Sequence, residues 1–168
     1  MTSTVPVATL DKGPEFKKKL WGYEQIIVND ELYCGKILTV LPAGFACSIH
    51  YHVNKQETFH ILRGSLCLDL WDRSPGSFVK ADTLADLLKK SASIYAARDN
   101  FPTEVGLPDL RYSFAVLHPG DTLTITPCTP HRFWALKEVV EFLEVSTKDE
   151  PGDSIRIVES GPVPCSGS

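Results

Sequence analysis

The chain is poor in several features that mark whole classes of protein. It has no basic excess: 17 Lys and Arg stand against 21 Asp and Glu, a formal net charge of -4. That balance argues against nucleic acid or an anionic membrane as the main partner. No apolar run approaches the roughly 20 residues that cross a bilayer as a helix. The stretch Met1 to Leu10 lacks the basic start and apolar core of a secretory leader. The five cysteines are odd in number and irregular in spacing. No C-x2-C pair occurs among them, so a structural zinc ribbon is not expected. They read as reduced thiols, and the expected location is the cytoplasm. No internal repeat is visible.

What is present describes one ordinary domain. A chain of 168 residues, 43% hydrophobic and 23% charged, builds one sizeable core rather than two. Residues 1–20 read as an N-terminal arm with a basic run, Lys17 to Lys19. Residues 21–160 read as a single domain. Residues 161–168, rich in Gly, Pro and Ser, read as a flexible tail. Gln25 to Val28 and Lys36 to Leu41 have strand character around a turn at Asn29-Asp30. Glu57 to Leu62, Arg111 to Leu117 and Leu123 to Thr126 read as further strands. Between Trp71 and Leu117 lies a long excursion. In it, Asp82 to Lys90 has the cap, the Leu84, Leu87 and Leu88 stripe and the terminal lysines of a short helix. Cys47 and Cys67 fall in strand-like stretches and read as packing residues, while Cys128 sits in a loop.

The most specific signal is the spacing G-x5-H-x-H-x4-E-x6-G, formed by Gly44, His50, His52, Glu57 and Gly64. Residues two apart in a strand share a face, so His50 and His52 present both imidazoles together. Val53 to Gln56 suit a turn, after which Glu57 can fold back beside them. Two imidazoles and a carboxylate suit zinc, iron, manganese or nickel. A fourth ligand is expected at His131, which follows the turn at Gly120-Asp121, a short strand and the loop enforced by Pro127 and Pro130.

These two segments resemble the two motifs of the cupins. In the second, Pro127-Cys128-Thr129-Pro130-His131 replaces the usual P-x-G-x-x-H. The resemblance spans Trp21 to Gly64 and Gly120 to Ile157. It implies an all-β, double-stranded β-helix barrel of jelly-roll type, with the excursion as a short helical insertion and a divalent transition metal inside one end. Finer features are similar to the sugar-isomerase branch. Trp21-Gly22-Tyr23-Glu24, His131-Arg132-Phe133 and the Asp153-to-Arg156 segment resemble the cupin domain of type II mannose-6-phosphate isomerases. Lys55 before Glu57, and Glu144-Val145-Ser146, resemble the D-lyxose isomerases. The chain lacks the nucleotidyltransferase domain of the first group and is shorter than the second.

An aldose–ketose isomerase needs a Lewis acid, a base that moves a proton between C1 and C2, and donors for the enediol charge. Glu144 is the candidate base. It lies in the alternation Val140, Phe142, Glu144, Ser146, where burial raises a carboxyl pKa; the competing reading has it facing solvent or paired with an arginine. Lys55 is a candidate donor or acid–base partner, against a solvated turn lysine. Arg156 and Arg132 are candidates for binding phosphate or sugar hydroxyls, although alternation points Arg132 away from the metal. Phe59 and Phe133 are expected as core or pocket wall against the substrate. His60 alternates away from Glu57, and His118 reads as a loop residue.

Three function classes remain open from these residues. One is a metal-dependent sugar isomerase acting on a free or phosphorylated sugar. Another is an Fe(II)-dependent dioxygenase using the same four ligands. The third is a non-catalytic sugar-binding module. A homodimer is expected, because the arm and the barrel edges would benefit from cover.

Overall fold

A computed structural model describes residues 13–42, 44–72 and 111–163. In chain order the strands are β1 (Glu15–Lys19), β2 (Gly22–Asn29), β3 (Cys34–Val40), β4 (Phe45–Ala46), β5 (Ile49–His52), β6 (Glu57–Arg63), β7 (Leu66–Asp72), β8 (Arg111–Leu117), β9 (Thr122–Ile125), β10 (His131–Ala135), β11 (Val140–Ser146), β12 (Ser154–Val158) and β13 (Gly161–Pro162). Among the described residues there is no helix. The helix expected at Asp82 to Lys90 lies outside them.

The strands form two antiparallel sheets. The first runs β1-β2-β3-β11-β6-β9, and the second runs β12-β5-β10-β4-β13, with β7 joining β10 to β8. The alternation that marks these segments decides which side chains face inward. Val140, Phe142, Glu144 and Ser146 of β11 are all buried, as are Glu57, Phe59 and Ile61 of β6. Register then divides the interior into an apolar half and a polar half. Val140 stands opposite Val40 and Phe142 opposite Leu38, but Glu144 stands opposite Lys36. On the other side of β11, Phe142 faces Ile61, Glu144 faces Phe59 and Ser146 faces Glu57.

Aromatic rings close the apolar half. Phe59 and Phe142 lie 4.8 Å apart, Phe133 and Phe142 5.3 Å, and Trp21 and Phe133 5.0 Å between ring centroids. Truncating a buried phenylalanine costs about 3–5 kcal/mol, so this plug is a large part of what holds the sheets together. Its upper surface is the floor of the polar end, where Phe59 reaches His131 at 6.2 Å.

Three boundaries differ from expectation, each for a local reason. The turn after β2 runs through Asp30–Tyr33 rather than Asn29-Asp30, because the Asp30 Oδ1 accepts from the Leu32 and Tyr33 amides at 2.8 and 3.0 Å. The end of the N-terminal arm is β1, paired with β2 from Glu15–Ile26 to Lys19–Gly22. The start of the tail is β13, paired with β4, and the Val163 amide donates to the Gly44 carbonyl at 2.6 Å. Backbone hydrogen bonds therefore reach into the arm and into the start of the segment expected as a flexible tail.

Candidate active site

Strand pairing brings the histidines together. His131, the first residue of β10, is in register with His50 of β5. Their ring centroids are 4.5 Å apart, and those of His50 and His52 are 5.3 Å apart. Glu57 opens β6 and comes from the facing sheet, rather than from a strand paired beside β5. Its Oε1 lies 3.4 Å from His52 Nε2 and its Oε2 3.3 Å from His131 Nε2. The four residues expected as ligands thus meet across the interior.

The tautomers of the rings follow from their outer contacts. His50 Nδ1 donates to the Ser48 carbonyl and His131 Nδ1 to the Thr129 carbonyl, both at 3.0 Å. A carbonyl only accepts, so these nitrogens carry the protons. His52 Nδ1 lies 3.2 Å from Asp153 Oδ2, and a carboxylate there favours the same tautomer. The Nε2 atoms are then lone pairs, and those of His52 and His131 face the carboxylate of Glu57. Glu57 Oε2 is buried with no hydrogen-bond partner. Lone pairs at this separation can share a proton or a cation. Two ligands of one transition metal, each about 2.0–2.2 Å from it, stand roughly 3–3.5 Å apart. Among the described residues no group of three or more His, Cys, Asp or Glu side chains is placed so that it could hold a metal ion as it stands; the chemistry of the donors, their tautomers and the orphaned oxygen are what suit one.

Electrostatics favours the same state. Burial pushes His50 down to about 3, with repulsion from His131 adding to it. Burial likewise lowers His52 and His131, leaving neutral imidazoles. Burial works to raise the Glu57 carboxyl, while Lys55, the cation that remains beside it when the imidazoles are neutral, works to lower it.

A second charged cluster adjoins the first. Lys55 Nζ donates to Glu144 Oε1 at 2.6 Å and to Glu57 Oε1 at 2.9 Å. Lys36 Nζ lies 2.6 Å from Asp149 Oδ2 and 3.8 Å from Glu144 Oε1. Asp149 Oδ1 is 3.7 Å from Lys55 Nζ, so two lysines and two carboxylates alternate around a ring. Burial raises the Glu144 carboxyl, Glu57 adds to this, and Lys55 and Lys36 oppose it. Burial would lower Lys55, yet Glu144 and Glu57 raise it above the usual lysine range. Lys55 and Glu144 are each 3% exposed, so neither is a solvated surface charge.

Both clusters line one cavity of about 210 Å³. Phe59 and Phe133 line it too, as its floor, and Arg156 stands at its rim opposite His50 in the β12–β5 register. Arg156 is exposed, with Glu159 at 3.5 Å. Arg132 points the other way and forms a two-pronged pair with Asp69 at 2.8 and 3.0 Å. His60 bonds Thr122 and His118 bonds Ser65, both away from the cavity. Cys128 is exposed, while Cys47 and Cys67 are buried as expected.

Sequence reasoning missed three residues of this region. Lys36 was legible, because it alternates with Leu38 and Val40 as Glu144 alternates with Phe142. Asp153 carries more than its motif suggested: it reaches His52 and also accepts from the Asn54 and Lys55 amides at 2.9 and 3.2 Å, fixing the β5–β6 turn. Asp149 gave no signal, being one charge in the run Lys148-Asp149-Glu150.

Comparison with known proteins adds the following. A family model described as D-lyxose isomerase matches residues 22–162. No curated protein matches the chain. Among solved structures, the capsular polysaccharide assembling protein CapF from Staphylococcus aureus is similar at a TM-score of 0.58 and 10% identity, covering 89% of this chain and 33% of that one. Oxalate decarboxylase from Lactobacillus farciminis is similar at 0.57 and 13%, covering 90% and 38%. Oxalate decarboxylase from Bacillus subtilis is similar at 0.57 and 16%, covering 90% and 33%. At these identities the likeness is one of fold, the cupin barrel. The chain spans little more than a third of the length of these structures.

Proposed function

From the premise that the chain belongs to the D-lyxose isomerase family, we propose that it is a metal-dependent aldose–ketose isomerase acting on a small aldose. The observation that carries this reading is the buried Lys55–Glu144 contact beside the histidine and Glu57 cluster, within a single cavity. His50, His52, Glu57 and His131 would hold a divalent transition metal (Mn, Zn, Fe or Ni), which when bound supplies Lewis-acid polarisation of the sugar oxygens.

The proton chemistry belongs to the side chains. Glu144 takes the proton from C2 of the open-chain aldose, and Lys55 gives a proton to O1, producing the neutral enediol. Glu144 then returns its proton to C1, and Lys55 recovers one from O2 as the ketose carbonyl forms. The burial that raises the Glu144 carboxyl makes it a stronger base for the first step. Phe59 and Phe133 keep water from beneath the sugar, and Arg156 at the rim can donate to its far hydroxyls or to a phosphate.

The test is proton exchange. Incubated with D-lyxose in deuterated water, the protein should incorporate deuterium at C2 and yield the ketose, without oxygen uptake. Oxygen consumption coupled to turnover would replace this reading by a dioxygenase. Saturable sugar binding with neither exchange nor oxygen uptake would leave a binding module.

A further inference from the structure

Aldoses rest as cyclic hemiacetals, and an enediol can form only from the open chain. Opening the ring requires a base at the anomeric hydroxyl and an acid at the ring oxygen. In the reading above, Lys55 and Glu144 serve C1, C2 and their oxygens. The cavity wall also carries further lysines and carboxylates, Lys36 and Asp149 among them, and that reading gives them no task.

We propose that Lys36 and Asp149 form a second acid–base pair that opens the cyclic sugar; this rests on the isomerase reading. Lys36 Nζ and Asp149 Oδ2 are 2.6 Å apart, and both residues line the cavity. Two separate elements set them there. The β3–β11 register places Lys36 opposite Glu144. Asn29 brackets the Asp149 backbone, its Nδ2 donating to the Asp149 carbonyl at 3.0 Å and its Oδ1 accepting from the Asp149 amide at 2.9 Å. The lysine side chain is 6% exposed and the aspartate side chain 30%. The carboxylate is therefore the more open member, and the lysine stands beside it on the same cavity wall. A salt bridge that merely latched the loop before β12 to the sheet would need neither the buried lysine nor a place on the cavity wall.

The step balances within the pair. Asp149 takes the proton of the anomeric hydroxyl, and that bonding pair becomes the second bond of C1=O1. The C1–O5 bond breaks with its electrons on O5, which receives a proton from Lys36. The proton on Asp149 then passes to Lys36 across their contact, restoring both groups for the next turnover.

The experiment compares two substrates. Mutarotation of one D-lyxose anomer is followed by polarimetry. C2-proton exchange is followed on D-glyceraldehyde, whose three carbons cannot close a hemiacetal ring. The wild-type protein should speed mutarotation above buffer. Asp149→Asn, which keeps shape and hydrogen bonding, and Lys36→Met should each lower that acceleration about tenfold or more. The loss on glyceraldehyde exchange should be smaller by at least about tenfold. Parallel losses on both substrates would overturn the assignment, since the pair would then be supporting Glu144. Wild-type protein that exchanges glyceraldehyde but leaves mutarotation at the buffer rate would overturn ring opening and leave the isomerase standing. Neither activity would overturn both.

Discussion

Lys55 Nζ lies 2.6 Å from Glu144 Oε1 in a setting where both side chains are almost fully buried. The contact joins the turn between β5 and β6 to the middle of β11. It also ties Glu144 to the Glu57 carboxylate, because the same ammonium reaches Glu57 Oε1 at 2.9 Å. A buried charge left without its partner costs about 3–5 kcal/mol. The lysine is therefore held where it is by two carboxylates.

The metal site gives the first prediction. As purified, the protein should carry about one divalent transition metal per chain, and His50→Ala or His131→Ala should remove most of it. Asp153→Asn should weaken metal retention roughly 10–100-fold, through the orientation of His52 and of the β5–β6 turn whose Asn54 and Lys55 amides donate to the same carboxylate. Elemental analysis before and after graded chelation measures all three. Full occupancy in both histidine variants would reject the ligand assignment.

The two motif glycines should differ. Both have positive φ, +74° at Gly44 and +75° at Gly64, but a Cβ at Gly44 meets nothing within 4 Å while one at Gly64 would lie 2.5 Å from the Val139 carbonyl oxygen. Gly44→Ala should cost about 1–2 kcal/mol, the conformational term for an L-residue there. Gly64→Ala should exceed it by about 1 kcal/mol or more. Urea unfolding of both variants decides the matter, and equal midpoints would show that the backbone near Val139 gives way.

Much of this was legible because the period of a strand is short and strict. His50 and His52 share a face by spacing alone, and Glu144 announces itself by sitting where Phe142 and Val140 predict an apolar residue. Lys36 carries the same mark in β3. Register and sheet partnership are different quantities. No local pattern shows that Glu57 would come from the facing sheet, that His131 would stand opposite His50, or that Asn29 would clasp Asp149 across 120 residues. Those depend on which strands pair, and pairing is decided by the whole core.

Stability of the metal-free protein should fall with acid. His50, His52 and His131 have folded-state pKa values below the unfolded value of about 6.5, His50 down to about 3. The unfolded chain therefore takes up protons near pH 6.5 that the folded chain refuses. Their contribution is present above that pH and is lost as pH falls toward the folded values, at most about 1.4 kcal/mol per pH unit for each histidine. Glu144, raised in the folded state, opposes this as one group against three. The chelated protein should melt lower at pH 5 than at pH 7; an equal or higher midpoint at pH 5 would refute the neutral buried histidines.

Assembly follows from β1. Among the described residues it is the outer strand of its sheet, and Phe16 within it and Leu20 just after it are 61% and 62% exposed. A sheet edge with exposed apolar side chains favours a second copy. Light scattering should give a homodimer, and Phe16→Glu should shift it toward monomer. A monomer at high concentration in the unmodified protein would exclude this.

Glu144→Gln isolates the proton step. The amide keeps the volume, and its oxygen can still accept from Lys55 Nζ, but it cannot take a proton from carbon. Metal content should persist, because Glu144 makes no ligand contact and the histidine tautomers are set from Ser48, Thr129 and Asp153. Turnover of D-lyxose and deuterium exchange at C2 should fall together by about a hundredfold or more, the usual contribution of a positioned base. Lys55→Met should lower both as well, with a rise in the pH at which the remaining activity peaks if hydroxide replaces the lost acid–base partner. The equal fall in exchange and turnover is what separates a base from a binding group, since a lost binding contact raises KM and spares kcat. Exchange that survives in Glu144→Gln while turnover is lost would move the base elsewhere in the cavity.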